Sequence, residues 1–193
     1  MRARLRFWLL LGLGLAACIR PPTAVLMPGR SVAVLPPNNR TGDPLLIAGA
    51  SFLEKYVLPT ERYTVPDALA AEARAQLVQR GFDVVAAATD GQAPSDPADA
   101  ARLAARNRSE GAALYIEIRR WEPNVGTEPT YVIASVALTL VEASTGRVLW
   151  SVDHPSRPVQ TPGVINLGDA YSVAAHALMT EMLAPLTPPP ASR

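Results

Sequence analysis

"AALYIEIRRW" at residues 112–121 decides the fold, together with the two stretches that follow it, "YVIASVALTLVEA" (131–143) and "RVLWSVD" (147–153). From Leu114 onward, apolar residues recur at every second position of the first stretch, the period of a β-strand with one buried face. The second stretch alternates in the same way. Gly146, in the "ASTG" that precedes the third stretch, can supply the positive φ of a bulged hairpin turn. The sequence therefore predicts three consecutive strands, the last two joined as an antiparallel hairpin.

Two further strands and several helices are predicted around these three strands. The strand patterns are the short apolar runs "SVAVLPP" (31–37) and "FDVVAA" (82–87). The helix patterns are "DPLLIAGASFLEKYV" (43–57), "PDALAAEARAQLVQRG" (66–81), "SDPADAARLAARNRSEG" (95–111) and "LGDAYSVAAHALMTEML" (167–183). The first three of these begin with an aspartate beside a proline, residues that favour the first turn of a helix. Strands separated by helices tend to pair in parallel, so the hairpin makes the predicted sheet a mixed one.

The predicted fold class is α/β, a single domain with a mixed five-stranded sheet and helices mainly on one face. The outward positions of the late strands are less apolar than the inward ones, as Tyr115, Glu117 and Arg119 show. We therefore expect the second face of the sheet to be partly exposed to water.

The apolar run "FWLLLGLGLAAC" (7–18) stands behind three arginines at the start of the chain. A basic segment, a short apolar segment and small residues before a cleavage point are typical of a secretory signal peptide. A membrane-spanning helix needs roughly 20 apolar residues, more than this run contains. Its end, "LAAC" (15–18), resembles the bacterial lipobox, in which the cysteine, here Cys18, carries fatty chains. Ile19 stands where the inner-membrane retention signal would place aspartate, so the resemblance implies an outer-membrane lipoprotein that faces the periplasm.

These patterns predict four segments: a signal peptide at 1–17, a lipidated cysteine and tether at 18–30, an α/β domain at 31–184, and a disordered proline-rich tail at 185–193. Twelve tether residues after the cysteine reach at most about 40 Å when fully extended. Two or more acyl chains make membrane anchoring stable, so the membrane is the first predicted partner.

Composition excludes several classes of function. Removing the three leader arginines from the 18 basic residues leaves 15 against 17 acidic residues. This balance gives no electrostatic footprint for nucleic acid. The chain has one cysteine and two histidines, so no disulfide and none of the common zinc ligand sets is expected. We predict no cofactor and no metal site.

Four landmarks in order, "SVAVLPPNN", "LVQRGFDVV", "GAALYIEIRRW" and "EASTGRVLW", resemble those of a known group. They are similar to small bacterial outer-membrane lipoproteins built on the TolB amino-terminal-like domain, related to CsgG and LpoB. The resemblance covers residues 31–183. It implies a mixed sheet flanked by helices and a role through protein contacts rather than catalysis, and it leaves a homo-oligomeric ring open.

The most site-like loop is "NNRTGD" (38–43), which follows the carboxyl end of the first strand, where open α/β sheets tend to bind ligands. No catalytic residue is predicted, because the sequence shows no nucleophile motif and no close carboxylate pair beyond a helix start. His154 and His176 are expected to be exposed. The predicted interaction surface combines this loop with the open sheet face and comprises Asn38, Asn39, Arg40, Asp43, Tyr115, Glu117 and Arg119.

The leading hypothesis is a non-catalytic accessory module of an envelope complex for transport, secretion or cell-wall assembly, with one or more envelope proteins as partners. An alternative is a small-molecule or glycan-binding lipoprotein with a pocket beside residues 38–43. The third hypothesis is an envelope hydrolase, which would need a histidine within hydrogen-bond reach of a buried serine or carboxylate.

Overall fold

The structure is a computed structural model that describes residues 25–26, 31–47, 63–85, 91–106 and 111–189. The predicted signal peptide and Cys18 lie outside these residues. The helices are α1 (Val65–Gln79), α2 (Pro97–Arg106) and α3 (Leu167–Leu183). The strands are β1 (Val25–Leu26), β2 (Ser31–Val34), β3 (Asn38–Asn39), β4 (Asp83–Val85), β5 (Ala112–Pro123), β6 (Tyr131–Glu142), β7 (Val148–Gln160) and β8 (Leu186–Thr187). None of the helices in these ranges is long and apolar enough to cross a membrane.

The main sheet has the strand order β4-β2-β5-β6-β7, and β3 also pairs with β5. β2 runs parallel to β4 and β5, whereas β5, β6 and β7 form an antiparallel meander. The α/β class, the mixed sheet and the single domain predicted from the sequence are confirmed. The long central strands hold the residues of the predicted interaction surface in place, because their side chains alternate between the two faces of the sheet.

The two faces of the sheet are covered differently. One face carries the main core, in which α1 and α3 cover residues such as Leu114, Ile116 and Leu138. On the other face, α2 packs its alanines against a smaller cluster that includes Leu35 and Tyr115. Helices therefore lie mainly on one face, as predicted. Alanine at the buried positions of α2 allows this single helix to approach the sheet closely without filling the rest of the face.

The first helix begins with a reciprocal cap that its sequence encodes. The Thr64 side chain accepts a hydrogen bond from the Asp67 backbone N–H, and the Asp67 carboxylate accepts one from the Thr64 N–H. Such a capping box satisfies two of the free donors at a helix start. Apolar residues of this helix such as Leu69, Ala73 and Leu77 are buried, whereas Val78 is 58% exposed.

The segment after β2 differs from the prediction. The chain rejoins the sheet after Pro36 and Pro37, because Asn38 and Asn39 pair with β5 as β3. The helix predicted from Asp43 does not start there: the Asp43 carboxylate accepts a hydrogen bond from the Leu45 N–H, and Leu45 has a φ of 51°. That turn directs the chain into a bridge with the residues before α1. Residues 48–57 of the predicted helix lie outside the described residues.

The predicted limits of the domain are too narrow at both ends. Val25 and Leu26, placed in the tether, pair in parallel with Leu186 and Thr187, placed in the disordered tail. Leu186 is 2% exposed and belongs to the main core. Burial of this leucine gives the short pairing an apolar contact that the proline-rich composition of the tail did not indicate. The domain therefore includes residues on both sides of the predicted range 31–184.

Candidate functional site

A buried carboxylate lies at the centre of the predicted interaction surface. Glu117 projects from β5 on the face opposite α1 and α3, and its side chain is 9% exposed. One carboxylate oxygen is 2.8 Å from Arg40 Nε, and the other is 2.6 Å from Arg119 Nε. The two guanidinium groups satisfy both oxygens, so the charge of the buried carboxylate is balanced from two sides.

The ion pairs continue across the sheet to β7. Arg119 also donates from a terminal guanidinium nitrogen to Asp153, at 2.8 Å. Its hydrogen bond to Glu117 raises the pKa of Arg119 above its usual value. We call Arg40, Glu117, Arg119 and Asp153 the charged array. Its charges alternate in sign along the row and sum to zero.

A β-bulge gives the surface a second arginine. The pairing of β5 with β6 shifts register between Ile118 and Arg120, which leaves Arg119 as the extra residue. As a result, Arg120 also reaches partners on the open face, donating to Glu122 at 2.6 Å and to Ser156 at 3.0 Å. Bulges re-aim side chains in this way, and here the bulge concentrates polar groups on the open face.

Beside the array, a hydrogen-bond cluster ties the open face to the start of α2. The Asn38 amide donates to the Tyr115 hydroxyl at 3.0 Å and to the Ser95 carbonyl oxygen at 3.1 Å. The Tyr115 hydroxyl also donates to that carbonyl, at 3.2 Å. Burial raises the pKa of Tyr115, and the Asn38 amide partly opposes this rise. The phenol is therefore a structural hydrogen-bond donor at neutral pH.

The loop 38–43 is held by bonds within itself. The Asn39 amide nitrogen donates to the Asp43 carbonyl oxygen at 2.6 Å, and the Asn39 amide oxygen accepts from the Thr41 hydroxyl at 2.8 Å. The Arg40 N–H donates to the Ile118 carbonyl oxygen at 2.9 Å. The loop's polar groups are therefore engaged in holding its shape, which argues against the ligand pocket expected there under the alternative hypothesis.

The structure thus brings together five of the seven predicted surface residues: Asn38, Arg40, Tyr115, Glu117 and Arg119. Asn39 and Asp43 instead stabilise the loop that positions Arg40. Sequence reasoning missed Asp153 as a member of the array. The signal was present, because Asp153 occupies an outward position of the last strand pattern. Only the strand register, which aligns Asp153 with Ala137 of β6 and Glu117 of β5, brings it within reach of Arg119.

The two histidines have different environments, and one prediction about them is wrong. His176 is exposed, as predicted, with its Nδ1 2.9 Å from a Glu72 carboxylate oxygen. His154 is only 4% exposed because its strand continues to Gln160 and passes beneath α3. Its ring nitrogens contact the Ala134 carbonyl oxygen and the Arg157 guanidinium, so neither faces a serine or a carboxylate.

That arrangement of His154 does not match the activated nucleophile of a hydrolase. In the described part of the chain, no group of three or more histidine, cysteine, aspartate or glutamate side chains could hold a metal ion. The chemistry that the site offers is charge-assisted hydrogen bonding on a solvent-exposed sheet face.

Comparison with known proteins places this fold. No family model matches the chain, and no curated protein matches it. Among solved structures, the PelC dodecamer from Paraburkholderia phytofirmans is 20% identical and has a TM-score of 0.53, with 86% of this chain and 90% of that chain covered. The chain shares its fold with PelC.

Two solved lipoprotein structures are also similar, at lower TM-scores. Lipoprotein GNA1162 from Neisseria meningitidis is 19% identical over 69% of this chain and 82% of that chain, with a TM-score of 0.43. The LpoB C-terminal domain from Salmonella enterica is 17% identical over 74% of this chain and 87% of that chain, with a TM-score of 0.37. The solved structures that are similar to this chain thus include bacterial lipoproteins of the kind that its sequence resembles.

Proposed function

We propose that this protein is a lipid-anchored outer-membrane lipoprotein that faces the periplasm and acts as a non-catalytic accessory module of an envelope complex. Its partners are one or more envelope proteins, in a complex for transport, secretion or cell-wall assembly. The contact surface is the open sheet face around the charged array. The lipobox resemblance of residues 15–18 supports the anchor, with fatty chains on Cys18.

The observation that carries the proposal is the charged array itself. Arg40, Arg119 and Asp153 are 57%, 49% and 63% exposed at their side chains, yet each is held in place by an ion pair. A partner protein would meet charges that are already oriented, so it would lose little free energy in ordering them. Alternating charges on one face also favour a partner with the complementary pattern and disfavour others.

Self-association belongs to the same proposal. PelC, which shares this fold, was solved as a dodecamer. The sequence resemblance to CsgG likewise left a homo-oligomer open. We therefore include other copies of this chain among its partners, and light scattering of the full chain in detergent would measure the oligomeric state.

Site-specific photocrosslinking in intact cells tests the contact surface. A photoreactive residue at Ser151, an exposed position on β7 beside the array, should give discrete adducts with envelope proteins or with a second copy. The same residue at Ala75, exposed on α1, is the matched control and should give far fewer. Adding Arg119→Glu should lower the Ser151 yield several-fold. Equal adduct yields at Ser151 and Ala75, or a Ser151 yield that Arg119→Glu does not change, would refute the proposed surface.

The anchor is tested separately. Mass spectrometry of the mature amino-terminal peptide should show acylation at Cys18, and the processing inhibitor globomycin should cause the precursor to accumulate. The variant Cys18→Ser should no longer be found in the outer-membrane fraction. An unacylated amino terminus in protein from the native host would disprove the lipid anchor while leaving the contact surface to its own test.

A further inference from the structure

The second half of β7 is connected to α3 through a buried histidine. His154 lies on the α3 side of the sheet and is 4% exposed. Its Nδ1 is 3.1 Å from the Ala134 carbonyl oxygen of β6, and its Nε2 is 2.9 Å from Arg157 Nε. Arg157 in turn pairs with Glu181 of α3. We call His154, Arg157 and Glu181 the His154 network.

The partners of the ring fix its protonation state. A carbonyl oxygen can only accept a hydrogen bond, so Nδ1 must carry the proton. A guanidinium Nε–H can only donate, so Nε2 must be bare. The network is therefore satisfied only by the neutral imidazole with hydrogen on Nδ1. A proton on Nε2 would place two donors against each other and two positive charges side by side.

The network lies directly behind the charged array. Successive residues of a strand point to opposite faces, and Asp153, next to His154, reaches Arg119 on the open face. Ser156, also within the segment between His154 and Arg157, accepts a hydrogen bond from Arg120 there. The pairing of β6 with β7 shifts register in this segment. Fewer regular ladder bonds hold a bulged segment, so its position depends more on side-chain contacts.

We propose that the His154 network is an acid-sensitive switch that holds residues 153–157 of β7 in place at neutral pH and releases them when His154 is protonated. Release disorders the Asp153 side of the charged array and weakens partner binding. The charged groups that face the ring are Arg157 from β7 itself and Glu181 from α3, while β6 presents the Ala134 carbonyl. This inference rests on the proposed function, because it regulates the same surface.

The direction of the pH dependence follows from burial. Burial is the largest cause that lowers the pKa of His154, and the Arg157 charge acts in the same direction. The folded protein therefore binds fewer protons than the unfolded chain once the pH falls below the ordinary histidine pKa of about 6.5. Stability from this group is complete above that pH and is lost as the pH falls toward the lowered value. For one proton, the opening equilibrium shifts by up to about tenfold per pH unit.

Hydrogen exchange of the full chain in detergent, at pH 7.5 and 5.5, tests the switch without any partner. After correction for intrinsic exchange rates, protection of the amides of residues 153, 154, 156 and 157 should fall by up to about tenfold in the wild type. His154→Gln, which cannot be protonated, should remove this pH dependence, and His176→Gln should retain it. If His154→Gln does not fold, Arg157→Met provides the test, because it removes the opposing donor and should at least halve the change. Unchanged pH dependence in either folded variant overturns the switch.

Crosslinking from Ser151 at the same two pH values links the switch to function. The wild-type yield should fall at least twofold at the lower pH, while the His154→Gln yield should stay constant. A yield that is high and independent of pH in the wild type overturns the switch but leaves the contact surface intact. The absence of specific adducts at both pH values refutes the proposed function and, with it, the regulation of that surface. Even then, hydrogen exchange decides independently whether residues 153–157 respond to acid.

Discussion

Replacing Glu117 with glutamine tests whether the charged array is organised around a buried carboxylate. The substitution keeps the shape of the side chain and removes its charge. Two hydrogen bonds to charged donors, 2.8 and 2.6 Å long, lose their ionic character. In addition, the new amide NH2 group must face one of the two guanidinium groups, where it finds a donor instead of an acceptor.

The magnitude follows from the burial of the partners. A hydrogen bond to a charged group contributes about 1.5–3 kcal/mol when buried, whereas exposed ion pairs contribute about 0.2–1 kcal/mol. Glu117 is 9% exposed, but Arg40 and Arg119 are about half exposed, so each bond should contribute about 1 kcal/mol. We expect Glu117→Gln to lower the free energy of unfolding by about 2–3 kcal/mol, including the mismatched amide.

Urea unfolding at neutral pH, followed by circular dichroism, measures this loss. The control is Glu122→Gln, the same substitution on the same strand, at a side chain that is 58% exposed and pairs with Arg120. Its effect should be close to the error of the measurement. In a double-mutant cycle, Glu117→Gln and Arg119→Met should show a coupling energy of about 1 kcal/mol. Equal losses at Glu117 and Glu122, or no coupling to Arg119, would refute the reasoning.

Three further predictions concern the frame that holds this surface. Gly111→Ala should destabilise the protein by about 3 kcal/mol or more in thermal unfolding, because its new Cβ would lie 2.0 Å from the Ser31 carbonyl oxygen. The control Gly126→Ala, with open space around the Cβ, should be close to neutral in the same assay. Thr64→Ala should cost about 1 kcal/mol through loss of the capping box, measured by urea unfolding, whereas Thr64→Ser should recover most of this. Tyr115→Phe should cost about 1–2 kcal/mol at neutral pH. Because burial raises the pKa of Tyr115, the wild type should also lose stability as the pH rises above about 10, and Tyr115→Phe should lose less. An equal decrease of the free energy of unfolding with pH in both proteins would contradict this.

The sequence predicted those parts of the fold in which one local pattern dominates. Strict alternation from Leu114 onward identified β5, and the helix at residues 167–183 has the predicted bounds. By contrast, β7 extends to Gln160, although its pattern was predicted to end at Asp153. Pro155 and Pro158 are typical strand breakers, but β7 is the edge strand of the sheet and carries a bulge beside Pro155, and both features tolerate a residue without an N–H. The place of a strand in the sheet decides such a case, and local periodicity does not encode it.

For the candidate site, the sequence predicted the face but not the pairing. The alternation of side chains along β5 correctly placed Tyr115, Glu117 and Arg119 on the outward face, beside the loop at residues 38–43. The pairing of Arg40 with Glu117 depends on β3 lying beside β5, and two prolines hide β3 from any strand pattern. The burial of His154 likewise depends on tertiary structure. From the sequence alone, a histidine before a proline at the predicted end of a strand is expected to be exposed.

The pairing of β1 with β8 limits the volume that the domain can explore. With Val25 fixed in that pairing, six residues separate the domain from Cys18, and they span at most about 20 Å instead of about 40 Å. The accessible volume around the lipid then shrinks roughly eightfold, since it varies with the cube of the radius. The effective concentration of the domain toward a neighbour in the same leaflet rises by the same factor. Under the proposed lipidation, a partner anchored in that leaflet would gain this advantage, and one that diffuses freely would not.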